Sequence, residues 1–258
     1  MTKSIINVTH FNPNSVFESL RTYDRRIFKL NEHLARLKES AKMFGMELSG
    51  EEILNFKKII QDGYEKSGIK NAYIRIALSV PAGKIHLIIR EIKVYPETIY
   101  KKGVSIATAV SKKSSFGSIG PNIKASNFLS GICAKMDVSE KFEALMLGPQ
   151  AEASEGSVSN IFIVKKKNIF TPPLSSGLLA GITRQAVFDL AGPLGIAIDE
   201  RVLTRHDMYN SDECFLTNTT AGIVPVVSID SRKIGSGRPG GITKRLAKAF
   251  RMLTGEED

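Results

Sequence analysis

The chain has 258 residues, 42% of them hydrophobic and 24% charged, which is typical of a soluble globular protein with one large domain or two smaller ones. Its apolar runs are too short to span a bilayer, and Met1-Thr2-Lys3-Ser4 lacks the apolar core of a signal peptide, so we expect a cytoplasmic protein without a membrane partner. The formal net charge of +10 does not predict nucleic-acid binding, because the basic residues are neither gathered in one patch nor interleaved with aromatic residues. An anionic small-molecule substrate would account for part of this charge.

The first elements of the chain predict a strand, a turn and a helix. Residues 16–23 alternate as in a strand, and Tyr23-Asp24-Arg25-Arg26 is typical of a hairpin turn. Apolar residues then recur at helical spacing and mark one buried face: Leu30, Leu34, Leu37, Ala41 and Phe44. Gly45 is expected to end this helix.

The next segment continues a small α/β unit. Ser49 and Glu52 form a predicted capping box for a second helix, whose buried positions are Ile53, Phe56, Ile60 and Tyr64. Residues 73–80 and 84–92 predict a hairpin around Pro81-Ala82-Gly83, and residues 104–110 predict one more strand.

Residues 111–122 are polar and rich in Gly and Ser, which predicts a linker between a small domain at residues 1–110 and a larger domain at residues 123–258. After the linker we expect a helix that carries Lys124 near its start and runs to about Met136. The remainder alternates strands with helices; the strands are predicted at 144–147, 161–164, 214–217 and 224–229, and the helices at 183–194 and 242–253. This organisation predicts two α/β domains with a ligand bound at their junction.

Two cysteines and a lysine run complete the local features. Cys133 and Cys214 are far apart and have apolar neighbours, so two reduced, buried thiols are expected. Lys165-Lys166-Lys167, followed by Asn168, predicts a hairpin turn with solvated lysines. We predict no metal site.

The candidate chemistry begins at Ser154-Glu155-Gly156-Ser157-Val158-Ser159-Asn160, which precedes a predicted buried strand. A carboxylate beside glycine and small polar residues is typical of a loop that presents an acid to a ligand, although a solvated turn has the same composition. Three further stretches belong with it: Ile123-Lys124-Ala125-Ser126-Asn127-Phe128-Leu129, Leu179-Ala180-Gly181-Ile182-Thr183-Arg184 and Leu216-Thr217-Asn218-Thr219-Thr220-Ala221.

In this order and at this spacing, the four stretches resemble the class IV family of pyridoxal-phosphate enzymes. That family contains the branched-chain and D-amino-acid aminotransferases and aminodeoxychorismate lyase. The resemblance extends from Val16 to Phe250. It implies an α/β, two-domain fold of fold type IV, with a small α/β domain and a larger pseudo-barrel domain, and it implies a homodimer.

The resemblance implies that Lys124 is the catalytic residue and holds pyridoxal 5'-phosphate as a Schiff base, which requires a partly neutral amine. Glu155 matches the acid that faces the pyridine nitrogen and keeps the ring protonated. Leu179 matches the residue that packs under the ring. Periodicity alone would leave Lys124 as a solvated lysine and Leu179 as a plain core residue.

The cofactor phosphate is expected to bind three elements. Arg36, in His33-x-x-Arg36-Leu37, matches a phosphate-binding arginine, whose fork suits bidentate contact. Without the resemblance it would be an arginine on the solvated face of an amphipathic helix. Ile182 and Thr183 open a predicted helix, where free N–H groups and the helix dipole favour an anion. Thr219 matches the third phosphate-binding position.

Substrate contacts follow from the same resemblance. Phe17 and Tyr73 match pocket-wall positions of the branched-chain enzymes, where apolar surface favours aliphatic side chains. Arg75 could meet a carboxylate. The backbone of Thr220 and Ala221 matches the turn that receives the substrate α-carboxylate.

The resemblance predicts an aminotransferase that moves the amino group of a branched-chain or other neutral amino acid to 2-oxoglutarate. Aminodeoxychorismate lyase, a D-amino-acid aminotransferase and a non-enzymatic binding protein are the alternatives. Three departures leave the substrate open: Asn12-Pro13-Asn14-Ser15 replaces a Tyr-Gly-Asp-Gly element, Phe128 replaces a common tyrosine, and Thr219-Thr220-Ala221-Gly222 replaces Thr-Ala-Ala-Glu. The segment Tyr73-Ile74-Arg75 favours the L-series.

Overall fold

The computed structural model describes residues 15–110, 123–125 and 129–255, with residues 129 and 130 described by backbone only. Three features of the sequence analysis therefore lie outside the described residues: the predicted linker at 111–122, Asn12-Pro13-Asn14, and Phe128. Contacts divide the chain into two compact units. The first unit contains Met1–Val94, Ile123–Asn127 and Thr254–Asp258, and the second contains Tyr95–Asn122 and Phe128–Leu253.

The first unit is an antiparallel sheet covered by two helices. Its strands are β1 (Ser15–Tyr23), β2 (Arg26–Ile27), β3 (Ala72–Ser79) and β4 (Ile85–Glu91), in the order β2-β1-β3-β4. Its helices are α1 (Leu30–Lys42) and α2 (Gly50–Ser67). The core lies between the helices and one face of the sheet, and Val16, Leu20, Ile74, Leu37 and Ile60 are among its buried residues.

Local sequence accounts for the elements of this unit. Asp24 and Arg25 both have positive φ, 41° and 63°, as a two-residue hairpin turn with the twist of its strands requires. Ser49 and Glu52 form the predicted capping box at the start of α2. These predictions, together with the hairpin of β3 and β4, are confirmed.

The second unit contains the remaining elements of the described chain. They are α3 (Thr98–Lys102), β5 (Val104–Thr108), α4 (Leu129–Asp137), β6 (Glu143–Leu147), β7 (Ala153–Gly156), β8 (Asn160–Lys165), β9 (Asn168–Thr171), a short 3₁₀ turn (Leu174–Ser176), α5 (Ile182–Ala191), β10 (Ile198–Glu200), α6 (Arg205–Tyr209), β11 (Glu213–Asn218), β12 (Gly222–Ile229), β13 (Arg232–Lys233) and α7 (Gly241–Thr254). Within the described residues, no helix has the length and apolar character needed to cross a membrane.

One curled, half-barrel sheet organises the second unit. Its strands run in the order β10-β9-β8-β11-β12-β5-β6-β7, and β13 pairs with β12. The pairs β12–β5, β5–β6 and β10–β9 are parallel, and the other pairs are antiparallel. The predicted fold class, a small α/β unit with a larger pseudo-barrel unit, is confirmed.

Two segments lie elsewhere than the sequence predicts. The strand β5, expected in the small domain, pairs with β12 and β6 and so lies in the second unit. Lys124 is not helical: α4 begins at Leu129, and Ala125 forms an antiparallel bridge with Val16 of β1. The reason in both cases is pairing with a strand that is distant in sequence. Cys214 is buried as expected, whereas Cys133 is half-buried.

Candidate functional site

Backbone pairing fixes Lys124 in the first unit. The N–H of Phe17 donates to the carbonyl oxygen of Lys124 at 2.9 Å, beside the Val16–Ala125 bridge. The Nζ of Lys124 lies 5.6 Å from the centroid of the Phe17 ring. The lysine is half-buried, and its segment extends the sheet along β1.

Phe17, Tyr73 and Arg75 share the sheet face opposite the core of the first unit. They alternate with buried residues along β1 and β3, as side chains of opposite faces do. The guanidinium of Arg75 lies 3.8 Å from the centroid of the Phe17 ring, a cation–π contact. The hydroxyls of Tyr73 and Ser19 are hydrogen-bonded at 2.9 Å. The structure therefore places Lys124 and Arg75 around the ring of Phe17, with Tyr73 on the same face of the sheet.

Arg36 lies on the opposite, core-facing side of β1. Its Nε donates to Oε1 of Glu18 at 2.6 Å, and its Nη2 donates to Oε2 of Glu18 at 2.7 Å. The Nδ1 of His33 lies 2.7 Å from the same carboxylate. Arg36 is thus buried in an ion pair rather than solvated.

Glu155 lies in the second unit, on the short strand β7 rather than in the loop that the sequence predicts. Its side chain is buried. The Oε2 atom accepts from the N–H of Leu179 at 2.9 Å and from Nδ2 of Asn160 at 3.3 Å. The same amide nitrogen of Asn160 donates to the carbonyl oxygen of Leu179 at 2.8 Å. Asn160 therefore ties Leu179 to Glu155.

The N-terminus of α5 lies next to this group. Its N-cap residue is Gly181, and no side chain of the described residues caps it. A Cβ atom at Gly181 would lie only 2.0 Å from Oδ1 of Asn160, so the approach of the helix to Asn160 requires glycine. By contrast, the carboxylate of Glu213 accepts from the first N–H groups of α7, at 2.7 and 3.0 Å. Among the described residues, Ile182 and Thr183 thus open a helix without the kind of acidic cap that α7 has.

A second buried acid, Glu143 on β6, lies close to β7. Its Oε1 accepts from the N–H of Val158 and its Oε2 from the hydroxyl of Ser159, both at 2.7 Å. A Cβ atom at Gly156 would lie 2.3 Å from Oε1 of Glu143, so glycine is needed for this approach. Burial raises the pKa of Glu143 to about 7, and the charge of Glu155 adds to the rise.

Thr219, Thr220 and Ala221 form the three-residue turn between β11 and β12. The Oδ1 atom of Asn218 accepts from the N–H groups of Thr220 and Ala221 at 3.0 and 2.7 Å. The hydroxyl of Tyr100 donates to the carbonyl oxygen of Ala221 at 3.0 Å. The predicted phosphate and carboxylate positions of this turn are therefore adjacent, and Asn218 orders the turn.

Several residues of these networks were not predicted from the sequence, among them Glu143, Asn160 and Asn218. Asn160 and Asn218 lie within the stretches that carry the resemblance, but short amide side chains also serve as ordinary turn residues. Glu143 precedes an apolar strand and has no sequence signal of its own. Their roles depend on partners from other strands.

The class IV amino-transferase family model matches residues 15–229. The branched-chain-amino-acid aminotransferase of Escherichia coli strain K12 is 33% identical over 267 aligned positions, which cover 95% of this chain and 85% of that protein. The D-alanine aminotransferase of Bacillus licheniformis is 31% identical over 251 aligned positions, which cover 92% of this chain and 86% of that protein.

Solved structures are similar over the same length. A crystal structure of the Escherichia coli branched-chain amino acid aminotransferase matches with a TM-score of 0.87 and 33% identity, covering 95% of this chain and 88% of that chain. The branched-chain aminotransferase from the thermophilic archaeon Thermoproteus uzoniensis with norvaline matches with a TM-score of 0.82 and 29% identity, covering 95% of this chain and 87% of that chain.

Proposed function

The chain belongs to the class IV aminotransferase family, and from this membership we propose that it moves the amino group of a branched-chain or other neutral L-amino acid to 2-oxoglutarate. It is a pyridoxal-phosphate-dependent transaminase, as its family implies. The substrate assignment is supported by relatives from several organisms that are named branched-chain aminotransferases.

The residues present fit pyridoxal phosphate. When bound, this cofactor accepts the electron pair left as the substrate Cα–H bond breaks. The buried carboxylate of Glu155 would hold its protonated ring nitrogen, beside Leu179. The N-terminus of α5, uncapped by any described side chain, suits the phosphate. So does the buried hydroxyl of Thr217, which lacks a hydrogen-bond partner among the described residues.

We assign roles to the remaining predicted residues on the same basis. Lys124 would hold the cofactor, then take the α-proton of the substrate and return it. Ile182, Thr183 and Thr219 would bind the phosphate. Arg36 would add a guanidinium contact to the phosphate, as the family resemblance implies.

One observation carries the substrate assignment. The amine of Lys124 and the guanidinium of Arg75 both lie against the ring of Phe17, at 5.6 and 3.8 Å from its centroid. The amine of Lys124, the cation of Arg75 and the apolar ring of Phe17 together suit an aliphatic amino acid and then 2-oxoglutarate. An aliphatic side chain would pack on Phe17 and Tyr73, and the distal carboxylate of 2-oxoglutarate would pair with Arg75.

The test supplies L-leucine, L-alanine, D-alanine and aminodeoxychorismate separately to the purified protein. Glutamate should form from 2-oxoglutarate faster with L-leucine than with L-alanine, because each buried methylene contributes about 0.8 kcal/mol. Faster transamination of D-alanine would instead support the D-amino-acid alternative. Pyruvate and aminobenzoate from aminodeoxychorismate, without glutamate from leucine, would overturn the proposal.

We further infer a cytoplasmic homodimer. The family resemblance supports the dimer, and the two free cysteines, Cys133 and Cys214, suit a reducing compartment. Sedimentation of the purified protein tests the assembly, and a mass of one chain at assay concentration would contradict it.

A further inference from the structure

In the turn between β11 and β12, a side-chain oxygen atom already accepts hydrogen bonds from the backbone N–H groups. The Oδ1 atom of Asn218 accepts from the N–H of Thr220 at 3.0 Å and from the N–H of Ala221 at 2.7 Å. It also accepts from the hydroxyl of Thr220 at 3.1 Å. Three donors that converge on one oxygen form a cradle of the kind that binds a carboxylate.

Two neighbours fix the direction of the Asn218 amide. The hydroxyl of Ser159 donates its single proton to Oε2 of Glu143 at 2.7 Å. Its oxygen can then only accept, and Nδ2 of Asn218 donates to it at 3.0 Å. The amino group therefore faces Ser159 and the carbonyl oxygen faces the turn. Glu143 and Ser159 hold the amide in the orientation that occupies the cradle.

We propose that Asn218 is a positioning residue that sets the affinity of the enzyme for the α-carboxylate of its substrate, because its carbonyl oxygen competes for the N–H donors of Thr220 and Ala221. This inference rests on the proposed function, which assigns those donors to the α-carboxylate. A bound carboxylate displaces the amide oxygen, so each binding event exchanges internal hydrogen bonds for new ones. The exchange weakens carboxylate binding and speeds product release.

The alternative role for Asn218 is to support the turn. If Asn218 served only to hold the turn in a shape ready for the carboxylate, its removal would loosen the turn and weaken binding. The two roles predict changes of opposite sign in the same measurement. Substitution of Asn218 therefore separates competition from support.

The experiment titrates the cofactor-loaded protein with 4-methylvaleric acid, an aliphatic monocarboxylate without an amino group, and measures the Kd by calorimetry. Asn218→Ala should lower the Kd about tenfold, the range expected when one or two internal hydrogen bonds no longer compete. Asn218→Asp should raise the Kd about tenfold, because its carboxylate stays in the cradle and repels the ligand. Asn210→Ala is the control, since the amide of Asn210 also bonds to the backbone, by donating from Nδ2 to the carbonyl oxygen of His206 at the exposed end of α6.

An unchanged or higher Kd for Asn218→Ala would overturn the inference. If circular dichroism shows that Asn218→Ala does not fold, Asn218→Gly, which also removes the amide oxygen, decides: tighter binding supports competition, and unchanged or weaker binding contradicts it. Transamination of L-leucine by the unsubstituted protein is measured in parallel. If the unsubstituted protein is active and the variants bind with an unaltered Kd, only the role of Asn218 is rejected. If the unsubstituted protein does not transaminate L-leucine, the proposed function is rejected.

Discussion

Glu18 and Arg36 form a buried bidentate ion pair in the first unit, with Nε–Oε1 and Nη2–Oε2 distances of 2.6 and 2.7 Å. Glu18 is 0% exposed and lies on the core-facing side of β1. Burial alone would raise the pKa of Glu18, but the charges of Arg36, Lys124 and His33 hold that pKa well below its usual range. The carboxylate therefore stays ionised in the core, and the pair fixes β1 to α1.

Substitution of Glu18 should destabilise the protein in a pH-dependent manner. Glu18→Gln removes the anionic partner of Arg36 in the core, and we expect a loss of about 3–5 kcal/mol in the free energy of unfolding at neutral pH. Because the folded pKa lies below the unfolded value, the contribution of Glu18 is complete above about pH 4.3 and is lost as the pH falls toward the folded pKa. Urea unfolding at several pH values measures this, with the exposed Glu65→Gln as control. A variant as stable as the control at pH 7 would contradict the role of the pair.

Glu143 should make stability depend on pH with the opposite sign. Its folded pKa, about 7, lies above the unfolded value, so the unfolded state releases the proton first. The free energy of unfolding should therefore fall by on the order of 3 kcal/mol from this group as the pH rises from about 4 to above 7. Glu143→Gln cannot ionise, and its unfolding free energy should lack this decrease. Equal pH dependence in the two proteins would refute the assignment.

Lys124→Ala should abolish transamination without unfolding the first unit. The segment pairs with β1 through backbone atoms, namely the carbonyl of Lys124 and the N–H of Phe17, so alanine preserves the pairing. After treatment with borohydride, the mass of the intact chain should gain no cofactor. The exposed Lys66→Ala is the control and should gain it. A stable mass increase on Lys124→Ala would show that another residue carries the cofactor.

Glu155→Gln tests the acid proposed for the ring nitrogen. A glutamine carbonyl can still accept from the N–H of Leu179, so folding and cofactor binding should persist. The anionic partner is lost, and the single-turnover rate with L-leucine should fall about a hundredfold or more. Glu140→Gln, at an exposed position, controls for the charge change. An unchanged single-turnover rate would remove Glu155 from the mechanism.

Arg75→Ala should discriminate between the two substrates. If Arg75 pairs with the distal carboxylate of 2-oxoglutarate, the KM for 2-oxoglutarate should rise about thirtyfold, while the KM for leucine changes little. Arg90→Ala is the matched control, because Arg90 stacks on the Tyr73 ring, 4.6 Å from its centroid. Equal effects of Arg75→Ala on both KM values would indicate a packing role on Phe17 instead.

The sequence by itself determined the elements whose signals are local. The alternation in β1, the apolar spacing of α1 and the capping box of α2 depend on residues within a few positions of one another, and all three are present. The four motif stretches likewise identified the family, because their order and spacing can be read from the sequence without knowledge of any contact.

Only the tertiary structure decided which distant segments meet. The pairing of β5 with β12, the extended backbone of Lys124 beside β1, and the approach of Glu143 to Ser159 each join residues that no local pattern connects. The same is true of the Asn218 amide, whose direction is set by the single proton of Ser159 and by the carboxylate behind it. Strand pairing and buried hydrogen bonds depend on partners that the fold of the whole chain brings together. A sequence pattern can therefore identify the side chains of a site but not their hydrogen-bond partners.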